Sequence, residues 1–296
     1  MPDLHSINKS RIGSSYQYKF SLFLILKNLI DGKLEEAHVD FPFEHETVKS
    51  LSLDLKLKLI QDTGLYIYEI KTGDDFKDSQ TEELKKVFRN LYYFEKTHGS
   101  PTNKNIVFSP NTTTCLMQHW NDILFIQSRK RRNNRGETRQ SVQQRLFGVF
   151  GVIDSGLSSE QFSNYLKMLN FQEGPDYSND RPNDDLTDLE DGIKSEIDNF
   201  CAKLEIQSTE TELPSWSIAT ELLDVLNKCA ENNQEVVVKL SNKLFESLCR
   251  RRLIQEATYT DGDKGRVLRD LKQGFKKQFV DLIKINLEDT ITITHE

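Results

Sequence analysis

The sequence predicts an α/β (α+β) fold, with a central sheet flanked by helices and a mainly helical C-terminal region. Residues 65–68 are apolar or aromatic at every position, which is typical of a strand covered on both faces. Residues 48–59 instead alternate leucines with polar side chains, as expected of a strand with one buried face. Beyond residue 192, long amphipathic segments predict helices.

The N-terminal elements follow from these patterns in order. Residues 16–29 form an apolar run that predicts a buried helix, with a serine N-cap in the Gly-Ser-Ser sequence at 13–15 and a stop at Gly32. Residues 37–43 predict a first strand, and a turn at 61–64 joins the next two strands in a hairpin. A helix at 79–96 and a strand at 105–109 complete the order helix, strand, strand, strand, helix, strand.

The second half of the chain is predicted to be helical apart from an acidic linker. Helices are expected at 142–153, 157–169, 193–204, 216–230, 238–254 and 267–287, with a short β-like tail at 290–294. We therefore expect a domain at 1–172, a linker at 173–192 and a helical region at 193–296. The apolar faces of the last region either dock a partner subunit or pack on one another.

Composition limits the functional classes. The chain has 296 residues, a net charge of −7 and a mean hydropathy of −0.58, which argues against coating DNA by bulk attraction. It has no apolar run near the ~20 residues that a membrane span needs and no signal-peptide pattern, so we expect a cytoplasmic protein without a membrane partner. The four cysteines lack C-x-x-C spacing, which predicts buried thiols, not a zinc ribbon.

One acid-x-lysine sequence stands out by its context. Glu69 and Lys71 share a face at the end of the strand that is apolar on both sides, whereas other acid-x-lysine pairs, such as Asp31 and Lys33, lack that setting. Asp54 lies on the polar face of the preceding strand, and a hairpin brings it next to Glu69. Asp54, Glu69 and the backbone carbonyl of Ile70 suit Mg²⁺ or Mn²⁺, with Lys71 orienting or deprotonating a water.

An acid on one strand followed by (D/E)-x-K on the next, within this order of elements, resembles the PD-(D/E)xK nucleases of the restriction-endonuclease-like fold. More narrowly, G-x-x-Y-Q at residues 13–17 and the segment 157–171 resemble the Cap-type double-stranded DNA endonuclease domain. The resemblance covers residues 13–171. It implies a mixed central sheet, metal-dependent DNA cleavage with Asp54, Glu69 and Lys71 as catalytic residues, and a site-supporting role for Gln17.

The resemblance also implies a biological setting. Such domains are effectors of bacterial anti-phage systems, including CBASS, Lamassu and HerA-associated complexes. We recognise no nucleotide-sensing domain here, so we expect a protein partner (an SMC-like or HerA-like ATPase, or another sensor) or a homo-oligomer that releases the activity. The alternative is a catalytically silent adaptor or scaffold with a nuclease-like fold.

Basic residues suggest where double-stranded DNA would bind, because phosphate contacts dominate DNA affinity. Lys56 and Lys58 share the polar face of Asp54 and are expected beside the reacting strand. Arg129, Lys130, Arg131 and Arg132 form the strongest positive cluster and are expected to hold the duplex further out. The alternative for this cluster is a solvated loop.

Overall fold

The computed structural model describes residues 4–60, 64–71, 81–99, 101, 103–108, 115–154, 156–174, 188–203 and 215–255. Its elements are α1 (Leu4–Ile30), β1 (Leu34–His45), β2 (Val48–Leu59), β3 (Leu65–Lys71), α2 (Thr81–His98), β4 (Asn103–Phe108), α3 (Cys115–Gln127), α4 (Arg139–Phe150), α5 (Ser159–Lys167), β5 (Leu169–Glu173), α6 (Asp188–Lys203), α7 (Ser215–Glu231) and α8 (Val237–Gln255). A short 3-10 turn, Gly151–Ile153, follows α4.

The five strands form one sheet in the order β1-β2-β3-β4-β5, with β3 in the middle. β3, β4 and β5 are parallel, and helices connect them. The short connections on either side of β2 permit only antiparallel neighbours, because a parallel pair needs a longer crossover. The fold is therefore α+β with a mixed sheet flanked by helices, and the predicted order of the first six elements is confirmed.

The strand and helix patterns explain this arrangement. In β3, Ile67 to Ile70 are all buried, as a central strand requires. The α2 stripe of Leu84, Val87, Phe88 and Leu91 is also buried, as its helical spacing predicts. Gly32, at φ 65°, ends α1 by donating its N–H to a carbonyl of the last turn, which confirms the predicted stop.

Aromatic packing around Phe88 organises the core between α2 and its neighbours. The Phe88 ring meets those of Phe150, Phe162 and Phe171 edge-on, with centroids 5.3, 6.2 and 6.4 Å away. Edge-to-face pairs add to the burial of apolar area. α2, α4, α5 and β5 are therefore joined at one point beside the sheet.

Two sequence predictions are wrong, and the bounds of a third overlap observed elements. The predicted N-cap at 13–15 lies inside α1, because glycine or serine costs a helix interior only about 0.5–1 kcal/mol and does not end it alone. The helix predicted to reach residue 169 ends at Lys167, and the next residues pair with β4 as β5. The predicted linker contains the end of β5 and the start of α6. The segments 267–287 and 290–294 lie outside the described residues.

The chain divides into two compact units. The first comprises Met1–Gln17, Asp40–Lys56 and Gly64–Thr187, and the second Tyr18–Val39, Leu57–Thr63 and Asp188–Glu296. The second unit thus includes the C-terminal half of α1, from Tyr18 onward, and not only the helices after the predicted linker. This division follows spatial contact, whereas the predicted boundaries followed composition along the chain.

Within the second unit, the C-terminal helices bury their own apolar faces. The buried side chains include Leu189, Ile193, Ile197, Ile218, Leu222, Leu226, Val237 and Leu240. The backbone of Ala37 in β1 bonds to both Glu235 and Val236, and Lys19 of α1 forms an ion pair with Glu190 of α6. These contacts favour self-packing over a docking platform. None of the helices within the described ranges combines the length and apolar character that a membrane crossing needs.

Gly174 provides a test of packing in the first unit. A Cβ atom there would lie 2.2 Å from Tyr16 Oη and 3.1 Å from Val107 Cγ1. We expect Gly174→Ala to lower the free energy of unfolding by about 1–3 kcal/mol in urea denaturation, because this site has no room for a methyl group. Gly148 of α4 is the matched control. Its Cβ would meet nothing within 4 Å, so Gly148→Ala should stabilise the protein by about 0.5–1 kcal/mol. Equal effects would contradict the packing at Gly174.

Candidate active site

Glu69 and Lys71 stand at the end of β3, the middle strand of the sheet. Side chains alternate along a strand, so Ile67, Glu69 and Lys71 share one side of β3. Ile67 belongs to the core formed with α2. Glu69 is accordingly only 1% exposed, while the Lys71 side chain is 19% exposed. The strand therefore carries a buried carboxylate and a partly exposed ammonium at its end.

Asp54 reaches these residues from β2. Its Oδ2 accepts hydrogen bonds from the backbone N–H of Ile70 at 2.6 Å and from Lys71 Nζ at 3.0 Å. A carboxylate bound to a backbone N–H is held more firmly than one bound only to a flexible side chain. The Asp54 side chain on β2 is thus held by hydrogen bonds to two residues of β3.

Lys71 joins the two acids. Its Nζ lies 3.0 Å from Asp54 Oδ2 and 3.1 Å from Glu69 Oε2. Two carboxylates that share one ammonium lie within two hydrogen-bond lengths of each other. The structure therefore brings together the three residues that the sequence predicts as a catalytic set.

Asn90 of α2 is a site residue that the sequence analysis missed. Its Nδ2 donates to Glu69 Oε1 at 3.0 Å, so the two oxygens of Glu69 are held by different partners, Asn90 and Lys71. Asn90 follows Val87 by three residues and precedes Phe94 by four, within the buried stripe of α2. A polar side chain inside an apolar helical stripe is the signal that would have identified it.

The pKa values of this group follow from burial and charge. Burial raises the pKa of Glu69 above the ordinary value for glutamate, and the charge of Asp54 raises it further, whereas Lys71 and Asn90 oppose the shift. Burial alone would lower the pKa of Lys71, but the charges of Asp54 and Glu69 raise it above its ordinary value. Lys71 is therefore a charged hydrogen-bond donor in this arrangement, not a free base.

The donor atoms suit a hard divalent cation. Among the residues that the structure describes, no group of three or more His, Cys, Asp or Glu side chains is placed to hold a metal ion. A cation here would take the carboxylates of Asp54 and Glu69, the carbonyl of Ile70 and water. Mg²⁺ and Mn²⁺ prefer oxygen ligands, and Mg²⁺ retains several waters, so this set fits either ion.

Gln17 lies on α1 and contacts a different acid. Its Nε2 donates to Asp40 Oδ1 at 2.5 Å. Asp40 has φ 50°, a left-handed conformation that aspartate tolerates better than most residues. The hydrogen bond found for Gln17 thus holds the side chain of Asp40 in β1.

The lysines predicted beside the reacting strand already have partners. Lys56 Nζ lies 4.5 Å from the centre of the Phe41 ring. Lys58 forms an exposed ion pair with Glu35 at 2.6 Å. An exposed pair of this kind is weak and opens easily, so these contacts reduce but do not abolish the positive charge offered to a phosphate.

Arg129, Lys130, Arg131 and Arg132 lie in the connection between α3 and α4. Gln127, at the end of α3, donates to the carbonyl of Leu169 at 2.9 Å, which fixes this connection at the start of β5. Through the parallel register, Leu169 aligns with Ile67, four residues before Lys71. At a rise of ~3.3 Å per residue, the base of the connection is offset about 13 Å from Lys71 along the strands, and β3 and β5 are two strand spacings, about 10 Å, apart across the sheet.

Comparison with known proteins adds no assignment, because the chain matches no protein-family model, curated protein or solved structure. A functional assignment for this chain therefore rests on the geometry of the site.

Proposed function

We propose that this protein is a metal-dependent endonuclease acting on double-stranded DNA. The observation that carries the proposal is the convergence of Asp54 and Glu69 on the Lys71 ammonium at the end of the central strand. One ammonium balances one carboxylate, so a second buried carboxylate is costly unless a further cation joins it. A buried cluster of charges that lowers stability in this way is typical of a functional site.

Each residue then has a role in phosphodiester hydrolysis. A divalent cation at the carboxylates would lower the pKa of a bound water and neutralise charge on the phosphate. Lys71 donates hydrogen bonds to an attacking or leaving oxygen and adds positive charge there. Among the described residues, the hydrogen bonds to Asp54 both reach Oδ2, and Oδ1 would then be the oxygen offered to a cation. Asn90 holds Glu69 from the side of α2.

The proposal extends to a biological role through the resemblance to Cap-type endonuclease domains. The nuclease would serve as the effector subunit of an anti-phage complex, and a sensor, an ATPase or oligomerisation would release its activity. Size-exclusion chromatography of the chain alone and with the products of neighbouring genes tests this part. Elution as an unaltered monomer in every mixture would contradict it.

Plasmid cleavage tests the enzymatic proposal. Purified protein is incubated with supercoiled plasmid in Mg²⁺ or Mn²⁺ and, separately, in EDTA. We expect nicking or linearisation only with metal, and loss of cleavage in Asp54→Ala and Lys71→Ala, because both remove groups that meet at the site. Circular dichroism checks that the variants are folded.

Lys86→Ala is the matched control for this assay. Lys86 is an exposed lysine of α2 paired with Glu83, one turn away, and its loss should leave cleavage unchanged. Cleavage by Asp54→Ala at the wild-type rate would remove this site from the mechanism. Silence of the wild type, even with the products of neighbouring genes present, would favour the adaptor alternative.

A further inference from the structure

Residues 128–138, called here the basic loop, connect α3 to α4. Their basic side chains are exposed, and their acidic side chain is bound by α4. Its exposed cations are Arg129, Lys130, Arg131, Arg132 and Arg135. Within the described part of the chain, none of these five forms an ion pair with a carboxylate. The surface of the loop is therefore strongly positive on a protein whose net charge is −7.

The one acid of the basic loop is bound on its inner side. Arg145 of α4 grips Glu137 through both carboxylate oxygens, at 2.5 and 3.0 Å, and also binds Asp122 of α3 at 2.8 Å. The hydrogen bond from Arg145 lowers the pKa of Glu137 to about 2, so this carboxylate stays charged and matched. The acid of the loop thus does not neutralise its outer cations.

Side-chain hydrogen bonds hold the backbone of the basic loop in one shape. Asn133 Oδ1 accepts from the N–H groups of Arg135 at 3.0 Å and Glu137 at 2.9 Å. Gly136, at φ 76°, closes the same turn with a bond from its N–H to the Asn133 carbonyl. These bonds of the turn come from uncharged groups, and of the five outer cations Arg132 also supports it, by donating to the Gly136 carbonyl at 3.2 Å.

Arg139 anchors the other end of the basic loop. Its guanidinium donates to the carbonyls of Ile126 at 2.5 Å, Ser128 at 2.6 Å and Lys130 at 3.0 Å. The first of these carbonyls belongs to the last turn of α3, where helix carbonyls lack intrahelical partners. One arginine therefore fixes the position of the cations, and a cleft of about 280 Å³, lined by Lys130 and Arg135 among others, lies between the loop and α3.

We propose that the basic loop is a preformed binding element for the phosphate backbone of double-stranded DNA, used away from the point of cleavage. A fixed array of cations loses little conformational entropy on binding, and phosphate contacts need no base sequence. The offsets of about 13 Å along the strands and about 10 Å across the sheet place the base of the loop about 16 Å from Lys71, which corresponds to roughly five base pairs at 3.4 Å of duplex rise per phosphate of one strand. The choice of DNA as the polyanion rests on the proposed function.

The position of the basic loop away from Lys71 predicts its effect on the kinetics. The loop should affect DNA affinity and KM without changing kcat, since it does not touch the reacting phosphate. Each lost phosphate contact should also reduce the slope of log K against log salt by about 0.9.

The test measures binding of the full-length protein to a fluorescent 30-base-pair duplex in EDTA, by anisotropy, across a range of salt. Arg129→Ala/Arg131→Ala/Arg135→Ala should weaken binding about 10- to 100-fold at 0.1 M salt and reduce the salt slope by about 2–3. Lys49→Ala/Lys86→Ala/Lys167→Ala removes the same charge from exposed positions outside the loop and should bind nearly as the wild type does.

Asn133→Ala separates shape from charge, because it keeps every cation but removes the bonds that form the turn. We expect it to weaken binding about 3- to 10-fold while the net charge is unchanged. Equal affinity and salt slope in the two triple variants would overturn the proposal. Competition by polyglutamate as strong as that by duplex would also overturn it, in favour of an acidic protein partner.

Binding in EDTA makes this inference separable from the nuclease proposal. A loop-dependent salt slope in a protein that never cleaves plasmid would support the loop and contradict the enzyme. Metal-dependent cleavage with an unchanged KM in the loop triple variant would support the enzyme and overturn the loop.

Discussion

Lys71→Met is expected to lower the free energy of unfolding by about 3–5 kcal/mol near pH 8 and to reduce cleavage about 1000-fold. Both effects have one cause. The ammonium lies 3.0 and 3.1 Å from two carboxylates, one of them 1% exposed, and methionine keeps the length of the side chain but not its charge. Urea denaturation in EDTA and plasmid cleavage in Mg²⁺ measure the two effects separately.

The stability loss should depend on pH in a defined direction. The pKa of Glu69 is already raised in the folded state, and removing Lys71 raises it further. A carboxyl with a raised folded pKa binds more protons folded than unfolded, so stability falls as pH rises above the unfolded value of about 4.3. The folded wild type has a Glu69 pKa of about 8, so below that pH Glu69 is protonated in both folded proteins and both lose stability equally. The gap between Lys71→Met and wild type should therefore be constant from about pH 5 to pH 7 and widen from about pH 8 to pH 10.

Lys86→Met controls for the loss of a lysine from the same unit. Its partner Glu83 is exposed, so the change should stay within about 0.5 kcal/mol at every pH. A Lys71→Met protein whose urea midpoint matches the wild type throughout this range would show that the three charges do not interact as the distances indicate.

Asn90→Ala should raise the Mg²⁺ concentration for half-maximal cleavage by about 10- to 100-fold. Asn90 donates to one oxygen of Glu69, and without it the buried carboxylate loses a fixed orientation and a hydrogen bond. DNA affinity in EDTA should be unchanged, because Asn90 does not touch a predicted DNA contact. Calorimetry with Mn²⁺ measures the metal affinity without relying on cleavage.

Two further variants sharpen this experiment. Asn90→Asp should be more harmful than alanine, since it places another carboxylate against Glu69. Asn164→Ala removes an exposed asparagine of α5 that accepts a bond from Lys167, and it should leave metal affinity unchanged. An unaltered metal requirement in Asn90→Ala would show that Asn90 supports the fold and not the orientation of Glu69.

The sequence predicted those elements whose burial pattern repeats locally. The alternating leucines of β2, the apolar centre of β3 and the stripe of α2 each record which side faces the core. Asp54, Glu69 and Lys71 were predictable for the same reason, because strand periodicity and a short hairpin fix which positions become neighbours.

Contacts and free-energy balances beyond the local pattern determined the elements that the sequence analysis did not predict. β5 is too short to be recognised by pattern and exists through its ladder with β4. The Gly-Ser-Ser sequence at residues 13–15 is helical because glycine and serine cost a helix interior little free energy.

The sequence by itself determined the order of the first six elements and the strand positions of three charged residues. Only the tertiary structure placed Asn90 against Glu69, turned Glu137 inward to Arg145 and grouped the C-terminal half of α1 with the C-terminal helices. The physical reason is that a hydrogen bond or ion pair depends on which distant segments the packing of the core brings together. Periodicity within one segment records its burial but not its partner.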